Sequence, residues 1–184
     1  GSLNIPAVKM LYLVGVGRVL DFAESLGYTT FGQRNRFGLS LVLGGGEVKP
    51  IDHVMAYATF ANDGVHVPSA AIISVEDPTG KKLEEWEAPA GENVVEPQVA
   101  RLLSNVLSDN DARSFIFGAR NFLTLPDRQV AAKTGTTNDY HDAWTAGYTP
   151  NLATVVWVGN ANNDEMKRGA DGSVIAAPIW QAYM

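Results

Sequence analysis

The chain has 184 residues, 46% of them hydrophobic and 18% charged, a composition that fits one folded domain with a sizeable core and excludes a disordered chain. A formal net charge of −6 and a pI near 5.0, with no basic block, argue against nucleic acid or an anionic membrane surface as the main partner. Cysteine is absent, so disulfides and thiolate metal sites are excluded, and no apolar run approaches the roughly 18 residues of a membrane-spanning helix.

In chain order, Pro6 to Gly27 reads as helix, broken at Gly15-Val16-Gly17. Pro6 suits a first turn, where its missing N–H costs nothing, and Gly27 suits a C-terminal stop. Tyr28 to Gly46 reads as loop and ends in Gly44-Gly45-Gly46. No Gly-Lys-Ser/Thr follows, so the triplet reads as a turn and not as a phosphate-binding loop. Pro50 to Asn62 is helical by the spacing of Ile51, Val54, Met55 and Ala58. Ala70 to Glu76 and Lys82 to Glu87 read as strands joined by a turn at Asp77-Pro78-Thr79-Gly80. Pro97 to Ser108 is the clearest helix, with Val99, Leu102, Leu103, Val106 and Leu107 on one stripe, and Ala112 to Phe117 adds a short one.

Three strands follow: Gln129 to Thr137, Ala143 to Tyr148 and Leu152 to Gly159. The last is continuously apolar and is expected to be buried on both faces. Thr149-Pro150-Asn151 is short enough to join the last two strands as an antiparallel hairpin. Ala177 to Met184 closes the chain as a helix, with Ile179, Trp180 and Tyr183 offered for burial. Helices first, antiparallel strands later and a final helix predict an α+β fold, an antiparallel sheet packed with helices.

The chemistry concentrates in Lys133-Thr134-Gly135-Thr136-Thr137. Strand alternation puts Thr134 and Thr136 on one face and Lys133 and Gly135 on the other. Two hydroxyls one strand-step apart can both donate to a carboxylate, and a lysine adds positive charge for an anion. Gly135, without a side chain, lets another extended backbone lie close. These features fit a strand that receives a peptide as an added strand and holds its carboxylate end. They fit equally an exposed edge strand with a lysine guarding against unwanted pairing.

The run "AAKTGTTNDYHDAWTAGYTP" closely resembles the Lys-Thr-Gly strand and following hairpin of penicillin-binding proteins. "SLNIPAVKMLYLVG" (Ser2 to Gly15) resembles their Ser-x-Asn loop and helix, and "LSLVLGGGEVKPIDHVMAYATFANDGVHVP" (Leu39 to Pro68) their central stretch. "WVGN" (Trp157 to Asn160) and "AAPIWQAYM" (Ala176 to Met184) resemble their closing strand and helix. The ordered set spans almost the whole chain and points to the class A, bifunctional branch. One departure is Thr145, where that family is expected to carry a larger apolar residue after Asp-Ala-Trp.

The resemblance implies the following roles. Ser2 would relay a proton during acylation, Asn4 would bind the substrate's peptide group, and Lys133 would set the field and support Ser2. Thr134 and Thr136, with Gly135 between them, would bind the terminal carboxylate of a D-Ala-D-Ala stem peptide or of a β-lactam. The Thr136 N–H would be one oxyanion donor. No cofactor and no metal are expected: His53, His66 and His141 lack zinc-ligand spacing, and Glu84-Glu85-Trp86-Glu87 reads as a solvated strand. His141-Asp142 as two members of a triad is the weaker reading, because the resemblance places them after the catalytic strand. Trp144 and Trp157 are expected to pack beneath the sheet.

The family also needs a nucleophile in Ser-x-x-Lys. No serine of this chain has lysine three places on; Thr79 does, at Lys82, but in an apparent turn. The expectation is therefore that residues 1–184 are the C-terminal portion of a single transpeptidase domain, a partial penicillin-binding-protein or β-lactamase-like fold lacking its N-terminal elements. The parent would be a D,D-transpeptidase cross-linking peptidoglycan through an acyl-serine on the extracytoplasmic face, membrane-anchored through upstream parts, and this portion alone would be inactive. The alternative is a non-catalytic β-lactam-sensing or peptidoglycan-binding domain of related fold.

Overall fold

The computed structural model describes all of residues 1–184. Helices α1 (Asn4–Val14) and α2 (Val16–Ser25) meet at Gly15, whose φ of 92° and ψ of 135° interrupt the ladder. The expected break is there, and the helix begins two residues before Pro6. That proline still falls among the first-turn N–H groups that lack an intrahelical partner anyway. The segment after α2 is loop with two short 3₁₀ turns, Arg34–Arg36 and Leu39–Leu43. Arg34 pins it to α2 through Asp21 (2.6 Å) and Glu24 (2.8 Å).

Helix α3 (Pro50–Ala61) lies where its spacing predicts, but it buries Asp52, Ala56 and Thr59 and leaves Ile51 exposed. Asp52 can be buried because its carboxylate accepts from the Thr29 N–H (2.8 Å) and hydroxyl (2.7 Å). Two small antiparallel pairs follow. Strand β1 (Val65–His66) pairs with β4 (Glu92–Asn93), and β2 (Ser74–Glu76) with β3 (Lys82–Glu85). The β2–β3 turn is tied by Asp77, which accepts from the Thr79 N–H, the Thr79 hydroxyl and the Lys81 N–H. Both strands of that hairpin are exposed throughout, and Glu84 and Glu85 lie in it as solvated residues.

Helix α4 (Pro97–Ser108) matches its predicted span, yet its apolar stripe is divided. Ala100 is buried and Leu103 and Leu107 are half-buried, whereas Val99, Leu102 and Val106 face solvent. Helix α5 (Asn110–Phe117) starts on Asp109, which accepts from the Ala112 N–H at 2.8 Å.

The main sheet has the order β5 (Ala131–Thr136), β6 (Asp142–Thr149), β7 (Leu152–Gly159), all antiparallel. Thr149 pairs with Leu152, so the expected hairpin closes over Pro150-Asn151. The register places Ala132, Thr134 and Thr136 on one face with Gly147, Thr145 and Ala143. Lys133 and Gly135 share the other face with Ala146 and Trp144. The first face is covered by a π-helical turn (Gly172–Ala176) and α6 (Ala177–Tyr183), with a core of Leu123, Val130, Ala132, Ala177 and Trp180. Gly147 is required there, since a Cβ on it would come within 2.4 Å of the Trp180 ring. The second face rests on α3, and Leu26, Ala56, Val95 and Ala100 form a core between α3 and α4.

Two expectations are corrected. β7 is half-buried, with Leu152 and Trp157 partly exposed: helices cover both of its faces, but no strand pairs with its far edge. Of the three α6 residues offered for burial only Trp180 is buried, beside Ala177. Ile179 and Tyr183, four residues apart, share the helix face turned from the sheet.

Candidate active site

The residues singled out in the sequence converge on one cleft of about 1510 Å³. Its walls include Ser2 and Asn4 from the start of the chain, Lys133 to Thr137 from β5, and His53, Tyr57 and Trp144. Lys133 Nζ donates to the Ser2 hydroxyl at 2.5 Å and to the Thr134 carbonyl at 2.5 Å. Burial first, and the positive charge of Arg113 second, hold the Lys133 ammonium below the ordinary lysine range. Asn4 lines the cleft near Ser2 and is exposed.

β5 is an edge strand, and its hydrogen bonds show which groups face the open side. The Ala132 carbonyl accepts from Arg113 Nη1 (3.4 Å) and the Thr134 carbonyl from Lys133, so both point away from β6. In an antiparallel ladder the N–H and C=O of one residue point to the same side and alternate along the strand. Thr136 is in phase with these two and presents its N–H and C=O to the free edge. Its hydroxyl accepts from the Gly172 N–H at 3.0 Å, which leaves the hydroxyl proton free to donate. Thr134 is buried on the same face. The π-helical turn packs close to Gly135, but Gly172 is what allows it: a Cβ on Gly172 would lie 2.5 Å from the Gly135 carbonyl, whereas one on Gly135 would meet only the Trp144 Cβ at 3.5 Å. Thr145, the departure from the family pattern, is fully buried and donates to the Gly172 carbonyl at 3.1 Å. Its hydroxyl thus ties the sheet to the turn that backs the site.

Several residues make contacts that the sequence did not indicate. Asp142 latches the end of β5 to β6: its N–H donates to the Thr137 hydroxyl (2.8 Å), and its carboxylate accepts from that hydroxyl (3.0 Å) and from Trp157 Nε1 (2.8 Å). Asp142 is thereby engaged with Thr137 and Trp157, while His141 turns its Nδ1 to the Asn163 carbonyl (2.8 Å), so no triad forms between them. Asp139, His141 and Glu165 each bring one potential ligand atom within 4.8 Å of the others on the surface, a proximity hidden in the sequence because Glu165 follows β7. Trp144 and Trp157 meet at a tilt of 49° on the α3 side of the sheet with centroids 6.2 Å apart, and Trp144 meets His53 edge-on at 5.7 Å.

His53 accepts from or donates to the Tyr28 hydroxyl at 2.6 Å, and burial pushes its imidazole down to about 4. An unfolded histidine titrates near 6.5, so between those values the unfolded chain binds the extra proton and stability rises with pH. The thermal midpoint is expected to fall as pH is lowered through that window, and the fall should be shallower in H53Q. Unfolding curves across the window check this, and equal slopes in both proteins would refute it.

A lysine-bearing edge strand thus borders an open cleft, with a serine in reach and helices behind it. The family description "Penicillin binding protein transpeptidase domain" matches residues 9–184, and the chain belongs to that family. It is 31% identical to Penicillin-binding protein 1A of Neisseria flavescens over 187 residues, covering all of this chain and 23% of that protein. The fold superposes on the structure of Penicillin-Binding Protein 1A from Haemophilus influenzae with a TM-score of 0.82 at 24% identity, covering 100% of this chain and 32% of that one. PonA1 from Mycobacterium tuberculosis in complex with penicillin V gives a TM-score of 0.70 at 28% identity, over 91% of this chain and 48% of that one. The α+β expectation therefore stands.

Proposed function

We propose that residues 1–184 are the C-terminal portion of a single transpeptidase domain whose parent is a serine-type D,D-transpeptidase cross-linking peptidoglycan stem peptides. The observation that carries this reading is the Lys133–Ser2 contact of 2.5 Å beside the open edge of β5. In it, Lys133 and Ser2 form the proton-relay pair and Asn4 binds the substrate's peptide group. Thr134 and Thr136 donate to the terminal carboxylate, Gly135 keeps that stretch of strand free of a side chain, and the Thr136 N–H stabilises the developing oxyanion. The strand edge takes the stem peptide by added-strand pairing. A β-lactam, whose carboxylate mimics the D-Ala terminus, takes the same place, a reading supported by the penicillin V complex of PonA1. Peptidoglycan chemistry puts the parent on the extracytoplasmic face; in this chain no helix is long and apolar enough to cross a membrane.

A peptide ending in D-Ala-D-Ala, titrated into the ¹⁵N-labelled chain, is expected to shift the amides of Thr134, Gly135 and Thr136, and the same peptide with an amidated end is expected not to. Equal shifts from both peptides would overturn the carboxylate assignment.

A further inference from the structure

Arg113 is 6% exposed, and its guanidinium meets only carbonyls. Nε donates to Asp109 (3.3 Å), Nη1 to Leu123 (3.3 Å) and Ala132 (3.4 Å), and Nη2 to Leu107. Leu107 lies in the last turn of α4, where carbonyls lack intrahelical partners and favour a cation. Asp109, the acid that acts on Arg113 through space, spends its carboxylate on the Ala112 N–H. The guanidinium therefore has no carboxylate among its hydrogen-bond partners. A buried charge of this kind is a weak source of stability, and apolar residues of similar volume often replace one without loss. Stability alone does not account for it, whereas its position does: it grips the carbonyl immediately before Lys133.

We propose that Arg113 is a positioning residue for Lys133, fixing the Ala132 carbonyl at the covered end of the β5 edge and holding a permanent positive charge behind the strand. Two consequences follow. The open part of the edge is bounded, because an incoming strand cannot pair at Ala132 and must pair around Thr134 and Thr136. The anion-attracting field of the cleft also outlasts the moment at which Lys133 gives up a proton, since a guanidinium stays charged throughout. The direction of the Lys133 shift agrees, with Arg113 the through-space charge acting on it after burial itself.

Other groups around the lysine do not substitute for this charge. His53 and Tyr57 face the cleft from α3; burial lowers the imidazole and raises the phenol, so neither carries a charge near neutrality. The Gly1 N-terminus, Glu47, Lys49, Asp142 and Asp171 also line the cleft, but none bonds to Lys133, and Arg113 is the charge that acts on it through space.

The inference rests on the role proposed for Lys133, but its test needs no substrate. The Lys133 side chain can be titrated by NMR in the lysine-labelled 184-residue chain, with its signal assigned from K133R. In R113Q its midpoint is expected to move upward, because a repelling charge is gone, and in R113K to return to the wild-type position. R113M carries the same expectation as R113Q and keeps side-chain volume where glutamine fails to fold. An unchanged midpoint in a folded charge-free variant would overturn the proposal. So would an equal displacement in R113K, which would mark Arg113 as packing alone. Neither result depends on whether the D-Ala-D-Ala peptide binds, so the two readings fail separately.

Discussion

A fluorescent penicillin incubated with the 184-residue chain is expected to leave its intact mass unchanged. Acyl transfer in this family proceeds through an activated serine with a lysine one helical turn on, and no serine here is followed by lysine at that spacing. Thr79 and Lys82, the one hydroxyl–lysine pair so spaced, are committed elsewhere. Thr79 bonds to Asp77 in the turn of an exposed hairpin, and Lys82 pairs with Glu85. On the proposed reading, what remains in the cleft is a set of groups to bind and polarise, which without the attacking group would supply recognition and little turnover. Mass spectrometry after denaturation decides the matter. A stoichiometric adduct would sink the expectation, and digestion would then locate it; Ser2 is the serine to inspect, because it alone accepts from a lysine.

Lys133 should be the most costly of the cleft residues to lose. In a longer protein that supplies Ser-x-x-Lys ahead of this chain, K133A is expected to slow acylation by a β-lactam by about 10²-fold or more, as when one electrostatic contact to the reacting groups is removed. That factor corresponds to about 2.7 kcal/mol of barrier. Two losses combine in it. The Ser2 hydroxyl loses its 2.5 Å partner, and the ligand carboxylate loses the positive charge that desolvation makes effective. Stopped-flow acylation rates measure it, and a rate equal to wild type would remove Lys133 from the mechanism.

The sequence made some parts of this molecule readable and concealed others for physical reasons. The span of α4 and the β6–β7 hairpin followed from local patterns, because periodicity and short turn sequences are local quantities. Burial did not follow so well. Val99, Leu102 and Val106 form a good apolar stripe on α4 and still face solvent, because a stripe records what a helix can bury and not what is present to cover it. The reverse holds in α3, where Asp52 is inside because Thr29 supplies two donors from a distant loop. At the site, Lys133, Thr134, Gly135 and Thr136 were legible as a motif. The contact between Lys133 and Ser2 spans 131 positions and came only by resemblance. Arg113 gave no signal, since an arginine in a short helix looks like an ordinary surface residue until the fold closes over it; Asp142 was visible only as a weak triad candidate, because its bonds to Thr137 and Trp157 arise when β6 pairs with its neighbours.

The β2–β3 hairpin packs substantially against no other element of the fold, and every residue in its two strands is exposed. A two-stranded ribbon of this kind is marginal by itself. It is consequently a separate unit of local opening, whose amides exchange with solvent well before those of the main sheet. Its tip at Pro78-Thr79-Gly80 is also the place where a foreign sequence, such as an epitope or a fluorophore-binding peptide, enters at least cost to the cleft.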